Sequence, residues 1–153
     1  MTRINEIVAD GTESAPVKEA TSRECALIAA RAACSKKATD IMIQDVRELV
    51  SVTDYFVIAT AANNRQVAAI IDAIEEAERK QGGVKPLHTE GTNDGIWALL
   101  DYGSFVVHVF QPEARDFYQL EELWNEAPIL DLSLEDGFAD AQYSDRIAAL
   151  LTR

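Results

Sequence analysis

Both histidines of the chain lie in one segment that also carries acids and aromatic residues. His88 and Glu90 are two residues apart, so a strand would place their side chains on one face. Together with His108 they could bind zinc, since imidazole and carboxylate groups are zinc ligands in metal-dependent hydrolases. The competing interpretation makes His108 a core residue, because strand alternation places it on one face with Val106 and Phe110. The sequence favours the core interpretation, and we expect no metal.

Aromatic residues beside acids form a second pattern, which is typical of protein recognition. The dipeptide Asp-Tyr occurs at residues 54–55 and again at 101–102, and Trp97 follows a loop that contains Gly and Asn. Trp is common in cores, but it is also enriched among binding hot spots. Adjacent strand residues point to opposite faces, so each Asp-Tyr pair has one inward and one outward member, and the sequence leaves open which.

Three acids lie at or near predicted strand ends, namely Asp54, Glu90 and Asp101. They are either ordinary solvated residues or a negative patch that meets the lysines and arginines of a basic partner. Such a patch would add orientation and association rate more than affinity. Tyr55 and Tyr102 directly follow two of these acids, so we include both tyrosines in the predicted partner-binding group.

Helical periodicity indicates two helices that cover a sheet. Thr21 and Glu24 form a capping-box sequence that begins a helix over residues 22–35. Asn63 or Asn64 caps the second helix, whose apolar residues recur at three- and four-residue spacing until a Gly-Gly pair ends it. Helix formation here needs no functional explanation.

A third helix is predicted to begin at Pro112, which suits a first turn. Its apolar face is expected to hold Phe117, Leu120 and Trp124. Arg115 and Tyr118 are three residues apart and can touch, so with Glu122 they predict a surface stripe. The sequence therefore adds Arg115 to the partner-binding candidates, and His108 stays among them.

Five segments read as strands: residues 40–46, 54–60, 85–90, 96–102 and 105–110. The first two are close enough to form a hairpin, and the second is nearly continuous in apolar residues, as expected when both faces are covered. The order of helix, two strands, helix, three strands and helix predicts an α/β domain with a mixed β-sheet flanked by helices.

Three regions follow from the patterning. Residues 1–20 are polar, acidic and interrupted by Gly and Pro, which predicts a flexible arm. Residues 21–134 form the α/β domain, and residues 135–153 form a C-terminal extension with a short final helix. The arm lacks the apolar run of a signal peptide, and no stretch suits a membrane crossing, so we expect a cytoplasmic protein.

Charge limits the choice of partner. Lys and Arg total 14 against 26 Asp and Glu, a net charge of −12. Binding to phosphate backbones relies on Lys and Arg that displace counterions, so direct nucleic-acid contact should be minor. A basic protein partner suits this balance, although solubility alone would also explain it.

Four separated blocks within residues 24–132 resemble the ribosomal silencing factor family, known as RsfS or Iojap. They read TDYFVIAT, NNRQVAAIIDAI, EGTNDGIWALLDYGSFVVHVF and RDFYQLEELW. The resemblance implies a nucleotidyltransferase-like topology without the catalytic motif. It also implies binding to the large ribosomal subunit through its fourteenth protein (L-fourteen), which is basic, with Trp97 on the ribosome-facing surface.

The same resemblance implies how such a protein acts. Its bulk would block association with the small subunit and so repress translation when nutrients are limiting. Free members of the family are commonly homodimers, and no cofactor is implied.

The alternative is a degenerate nucleotidyltransferase-like enzyme. That chemistry needs clustered carboxylates that hold metal ions and a loop that binds phosphates. Asp54 is followed by Tyr55 and Phe56, so no Asp-x-Asp motif is present, and no Gly-Ser loop precedes it. We therefore expect a binding protein rather than an enzyme.

Overall fold

The computed structural model describes residues 20–152, so nearly all of the predicted arm lies outside the described residues. Five α-helices are present in this range: α1 (Ser22–Ser35), α2 (Asn64–Ala77), α3 (Pro112–Tyr118), α4 (Leu120–Leu123) and α5 (Asp145–Leu151). The strands are β1 (Thr39–Asp45), β2 (Tyr55–Thr60), β3 (His88–Glu90), β4 (Trp97–Asp101) and β5 (Phe105–Phe110).

The five strands form one mixed sheet in the order β1-β2-β5-β4-β3. Strands β1 and β2 make the predicted antiparallel hairpin, and β2 pairs with β5 in parallel. Strand β4 runs antiparallel to both β5 and β3. The predicted α/β class with a mixed, helix-flanked sheet is confirmed. Strand β2 lies inside the sheet, as its apolar run predicted, but β5 takes the central position.

Helices α1 and α2 cover one face of the sheet. The predicted capping box is present, since Thr21 accepts from the Glu24 backbone N–H and the Glu24 carboxylate accepts from the Thr21 N–H. Asn63 caps α2 by accepting from the Gln66 N–H. The apolar stripe of α2 is buried against strand residues, and it consists of Val67, Ile70, Ile71 and Ile74. The apolar residues at three- and four-residue spacing therefore determine which face of α2 packs on the sheet.

The opposite sheet face is covered only in part. Residues of α3 and α5 pack there against Met42, Ile58 and Phe110, which lie on β1, β2 and β5. The outer edge of β1 is also covered, because the Leu130 N–H donates to the Ile43 carbonyl and Gln44 bridges to Ile129. The half formed by β4 and β3 is less covered: the β4 side chains on this face are half-buried, and all of β3 is exposed.

Two element predictions need correction. The strand expected over residues 85–90 contains only His88–Glu90, and all three residues are exposed. The third helix is broken at Gln119, whose φ of 46° and ψ of 52° are left-handed and therefore incompatible with continuing a right-handed helix. The break turns Phe117 outward with 80% of its surface exposed, so it does not share a buried face with Leu120 and Trp124.

The C-terminal residues pack on the domain. A short 3-10 turn at Leu132–Leu134 leads to α5, which Ser144 caps as its side chain accepts from the Ile147 N–H. Ile147 and Leu150 of this helix are buried. The short final helix predicted for residues 135–153 is therefore present, and it packs on the sheet face that holds Met42, Ile58 and Phe110.

Candidate functional site

The less covered part of this sheet face presents a mixed aromatic, aliphatic and acidic surface. Strand pairing places its strand side chains on one side, because residues paired across a sheet share a side. We call this surface the docking face; it consists of Phe56, His88, Glu90, Trp97, Leu99, Asp101 and Val106 from the strands and Tyr118 from α3. All eight are half-buried or exposed, so a partner could contact them without any rearrangement of the helices.

Trp97 lies at the N-terminal end of β4 within the docking face and is half-buried. Its ring stacks on Phe110 with centroids 4.7 Å apart, and Tyr118 lies against it at 4.8 Å. Its indole Nε1–H donates to Nδ1 of His108 at 3.1 Å. The side chain is thus held on three sides, while part of its surface remains accessible, as is usual for an aromatic hot spot.

His108 lies beneath this surface and is 5% exposed. Burial, with a smaller contribution from the Arg115 charge, lowers the pKa of His108 to about 4. Its ring also meets the ring of Phe56 edge-on, at 5.3 Å between centroids. This position supports the core interpretation of His108, since the ring lies under the docking face and contacts Trp97 and Phe56 from below.

Asp101 and Asp54 take part in turns at the same end of the sheet. An Asp101 carboxylate oxygen accepts from the Gly103 N–H at 2.8 Å, which fixes a turn in which Gly103 has a φ of 89°. Asp54 accepts from the Ser22 hydroxyl at 2.8 Å, near the beginning of α1. Asp101 belongs to the docking face, whereas Asp54 is turned toward α1.

Tyr55 and Tyr102 point into the core beneath α1 and α2. They are 3% and 7% exposed, so the inward member of each Asp-Tyr pair is the tyrosine. Tyr102 stacks on Phe105 with centroids 4.6 Å apart. Both tyrosines were predicted to bind a partner, but their side chains face away from the docking face.

Arg115 was predicted on a surface stripe with Tyr118 and Glu122, and this prediction was wrong because Arg115 is 1% exposed. Its guanidinium pairs with Glu121 at 2.9 Å and donates to the Thr60 hydroxyl at 2.8 Å. Glu121, which follows the break after α3, supplies the carboxylate partner, without which burial would be prohibitive for the Arg115 charge. Arg115 is therefore structural within the described residues.

Glu90 and His88 form the predicted same-face pair, with Nε2 and a carboxylate oxygen 2.8 Å apart. Both are exposed on the edge strand β3, so they form the outer rim of the docking face. The structure thus places Glu90, Trp97 and Asp101 on one face of the sheet, with Trp97 and Asp101 at opposite ends of β4 and His108 beneath this face.

Sequence reasoning missed two contributors to this surface. Phe56 was assigned only to a buried strand, yet it is half-buried and its ring lies 6.1 Å from that of Trp124. Tyr118 was noted only as a stripe residue, although it packs directly on Trp97. Its neighbour Phe117 is exposed because of the left-handed Gln119, and no local sequence pattern announces that conformation.

Chemistry at this site would need more than these side chains provide. No group of three or more His, Cys, Asp or Glu side chains in residues 20–152 is arranged to hold a metal ion. The Nδ1 atom of His108 accepts from Trp97, so it is not available to the zinc site considered from the sequence with His88 and Glu90. Within the same range no helix combines the length and apolar character needed to cross a membrane.

The fold defines an α/β domain whose sheet is covered by helices on one face and only in part on the other. The family model described as "Ribosomal silencing factor during starvation" matches residues 19–149. The chain therefore belongs to the ribosomal silencing factor family. The match extends beyond residues 24–132, in which the sequence motifs lie, and includes most of α5.

Relatives agree with this assignment. The chain is 39% identical over 105 residues to the ribosomal silencing factor RsfS of Bacillus subtilis, covering 69% of this chain and 88% of that protein. It is 32% identical over 91 residues to the mouse "Mitochondrial assembly of ribosomal large subunit protein 1", covering 58% of this chain and 40% of that protein. A crystal structure of a Chromobacterium violaceum protein superposes with a TM-score of 0.66 at 34% identity, covering 69% of this chain and 87% of the other.

Proposed function

We propose that this protein binds the large ribosomal subunit through the docking face and sterically prevents the small subunit from joining. Membership of the silencing factor family supports a regulatory role in translation, and the name of the mouse relative refers to assembly of the large subunit. The observation that carries the proposal is the less covered part of the sheet, where Trp97 is held by Phe110, Tyr118 and His108 and the acids Glu90 and Asp101 lie on the same face.

The chemistry of the docking face indicates a basic protein partner, and L-fourteen of the large subunit is the partner we propose. Glu90 and Asp101 offer carboxylates on this face, while Trp97 offers an anchored aromatic surface. Exposed carboxylates steer the approach of a positively charged surface, and a well-packed Trp is a common source of affinity. The net charge of −12 agrees with such a partner and opposes binding through RNA phosphates.

Steric blocking requires occupancy and bulk, and it requires neither a cofactor nor a metal ion. Repression of translation under nutrient limitation would then follow from the amount of factor bound. A homodimer of the free protein is compatible with the proposal, since the partner could displace a second copy from an exposed face.

Two variants test the docking face. Trp97→Ala removes the indole that packs on Phe110 and Tyr118. Loss of a hot-spot Trp costs about 2 kcal/mol or more, which is roughly thirtyfold in affinity. Glu90→Lys reverses charge at the rim and should mainly slow association. Asp101 is better replaced by Asn than by Lys, because Asn keeps the oxygen that accepts from Gly103 while removing the charge.

The control is Asp72→Lys, which makes the same charge change as Glu90→Lys on the exposed side of α2. Co-sedimentation with purified large subunits gives affinity, and light scattering after mixing the two subunits gives the rate of joining. We expect slow joining with the wild type and with Asp72→Lys, and faster joining with Trp97→Ala. Joining at the normal rate with saturating wild-type protein would refute the blocking mechanism, and unchanged co-sedimentation of Trp97→Ala would refute the site.

A further inference from the structure

The side chain of Trp97 has a single hydrogen-bond donor, and this donor is used within the protein. The indole Nε1–H donates to Nδ1 of His108 at 3.1 Å, and an indole nitrogen can donate but cannot accept. The Nδ1 atom must therefore be unprotonated, and the neutral imidazole carries its proton on Nε2. This assigns one tautomer to His108 from geometry alone.

The surroundings of His108 keep the ring in that state and position. The ring meets Phe56 edge-on at 5.3 Å and lies nearly parallel to Phe110 at 6.3 Å. His108 pairs with Leu99 on one neighbouring strand and with Ile58 on the other. Burial and the Arg115 charge lower the pKa of His108 to about 4, so the ring accepts from Trp97 throughout the neutral pH range.

A histidine is a costly choice for this position if stability alone is considered. The Nε2 atom is buried and has no hydrogen-bond partner among the described residues. An unsatisfied buried polar atom destabilises a fold, and replacing it with an apolar group of similar shape is often neutral or stabilising. The contact with Trp97 is what an apolar residue at position 108 could not provide.

We propose that His108 is a positioning residue that presets the Trp97 indole for the partner, an inference that rests on the proposed function. With its N–H tied inward, Trp97 cannot rotate freely and presents only its apolar surface outward. The partner group that meets it is therefore an aliphatic or cationic side chain lying against the ring, rather than a hydrogen-bond acceptor. A basic protein surface supplies such groups in the stems and heads of lysine and arginine.

The first test follows the indole N–H directly. The chain has two Trp residues, so a ¹⁵N-labelled sample gives two indole signals, and Trp124→Phe assigns them. His108→Leu removes the acceptor, and we expect the Trp97 N–H to exchange with solvent at least about tenfold faster, since protection depends on the hydrogen bond. His108→Asn places an amide oxygen near the former position of Nδ1 and should restore protection.

The second test measures dissociation from immobilised large subunits. We expect His108→Leu to dissociate about three- to tenfold faster than the wild type, with association within about twofold, because preorganisation acts mainly on the bound lifetime. His108→Asn should return the lifetime toward that of the wild type. Thermal melting should show that His108→Leu is as stable as the wild type, and His108→Met is the second apolar variant if the Leu variant does not fold.

The outcomes separate the two proposals. Unchanged dissociation of His108→Leu, despite fast indole exchange, would overturn the positioning role while leaving the docking face intact. Destabilisation of both apolar variants would make His108 merely structural and would also overturn it. Failure of the wild type to bind large subunits would instead overturn the proposed function, and with it the partner that we assign to Trp97.

Discussion

Arg115 and Glu121 form an ion pair of 2.9 Å in which the side chains are 1% and 0% exposed. The pair joins α3 to α4 across the left-handed Gln119, and the Arg115 guanidinium also reaches the Thr60 hydroxyl on β2. A second cation, Arg146 of α5, contacts the other Glu121 oxygen at 2.6 Å. Burial raises the pKa of Glu121, but the charges of Arg115 and Arg146 outweigh burial and hold this pKa below its ordinary value. The Glu121 carboxylate on α4 therefore links α3 and α5, and Arg115 connects this group to β2.

The first prediction concerns this pair. Arg115→Met leaves the buried Glu121 without the cation that pairs with its Oε1 atom, and removing one partner of a buried pair costs about 3–5 kcal/mol. The double variant Arg115→Met/Glu121→Leu should lose less, since no buried charge is left unpaired. Urea unfolding at pH 7 measures both free energies.

The matched control for the ion pair is Glu76→Gln, which breaks the exposed i,i+4 pair with Lys80. Such surface pairs contribute about 0–1 kcal/mol, so little change is expected. Equal losses in the single and double variants would contradict the prediction, because they would show that the buried charge itself carries no penalty.

The second prediction concerns Glu78, which is 0% exposed and lies beneath α1. Burial raises the pKa of Glu78 to about 8, with a smaller opposing effect from the neighbouring Cys25 thiol. The unfolded chain loses this proton near the ordinary value of 4.5, while the folded protein keeps it. The folded state then binds more protons, so the free energy of unfolding falls as pH rises from about 4.5 to 8 and levels off above that.

Glu78→Gln removes the titration while keeping the shape. We expect this variant to be more stable than the wild type at pH 8 by a few kcal/mol, and to lose the decline between pH 5 and 8. Thermal unfolding of both proteins at pH 5, 6.5 and 8 provides the comparison. Parallel stability curves for the two proteins would show that Glu78 is ionised when folded.

The third prediction concerns Gln119, whose left-handed conformation suits glycine better than a residue with a side chain. Gln119→Gly should stabilise the fold by about 0.5–1 kcal/mol, the relief of strain outweighing the added freedom of the unfolded chain. Glu113→Gly, at an exposed right-handed position of α3, is the control and should lose about 1 kcal/mol. If both variants lose stability equally, Gln119 is not strained.

Local signals accounted for much of the fold. The caps at Thr21 and Asn63, the buried stripe of α2 and the bounds of β5 all follow from patterns within a few residues of each other. Those patterns reflect hydrogen bonding and alternation that the chain carries locally, and tertiary contacts only reinforce them.

The failures share a different cause. Arg115 is a charged residue that helical spacing placed on the surface, but partners on other elements determine its burial. Arg115 is buried because Glu121 and Thr60 come to it from other elements. For the candidate site, Trp97, Asp101 and Glu90 could be predicted by type, whereas the contribution of Tyr118 depends on where α3 breaks.

The last prediction concerns Phe117, which is 80% exposed and meets Tyr118 edge-on at 5.0 Å, with Trp97 next along the row. We expect the docking face to extend onto Phe117, since an exposed aromatic that continues a binding surface usually adds contact area. Phe117→Ser should then weaken large-subunit binding about three- to tenfold while leaving stability within about 0.5 kcal/mol. Leu134→Ser is the control, because Leu134 is equally exposed, at 79%, in the separate 3-10 turn. Co-sedimentation gives the affinities, and equal binding by the two variants would confine the docking face to the sheet, because Phe117 would then contribute no more than any other exposed apolar side chain.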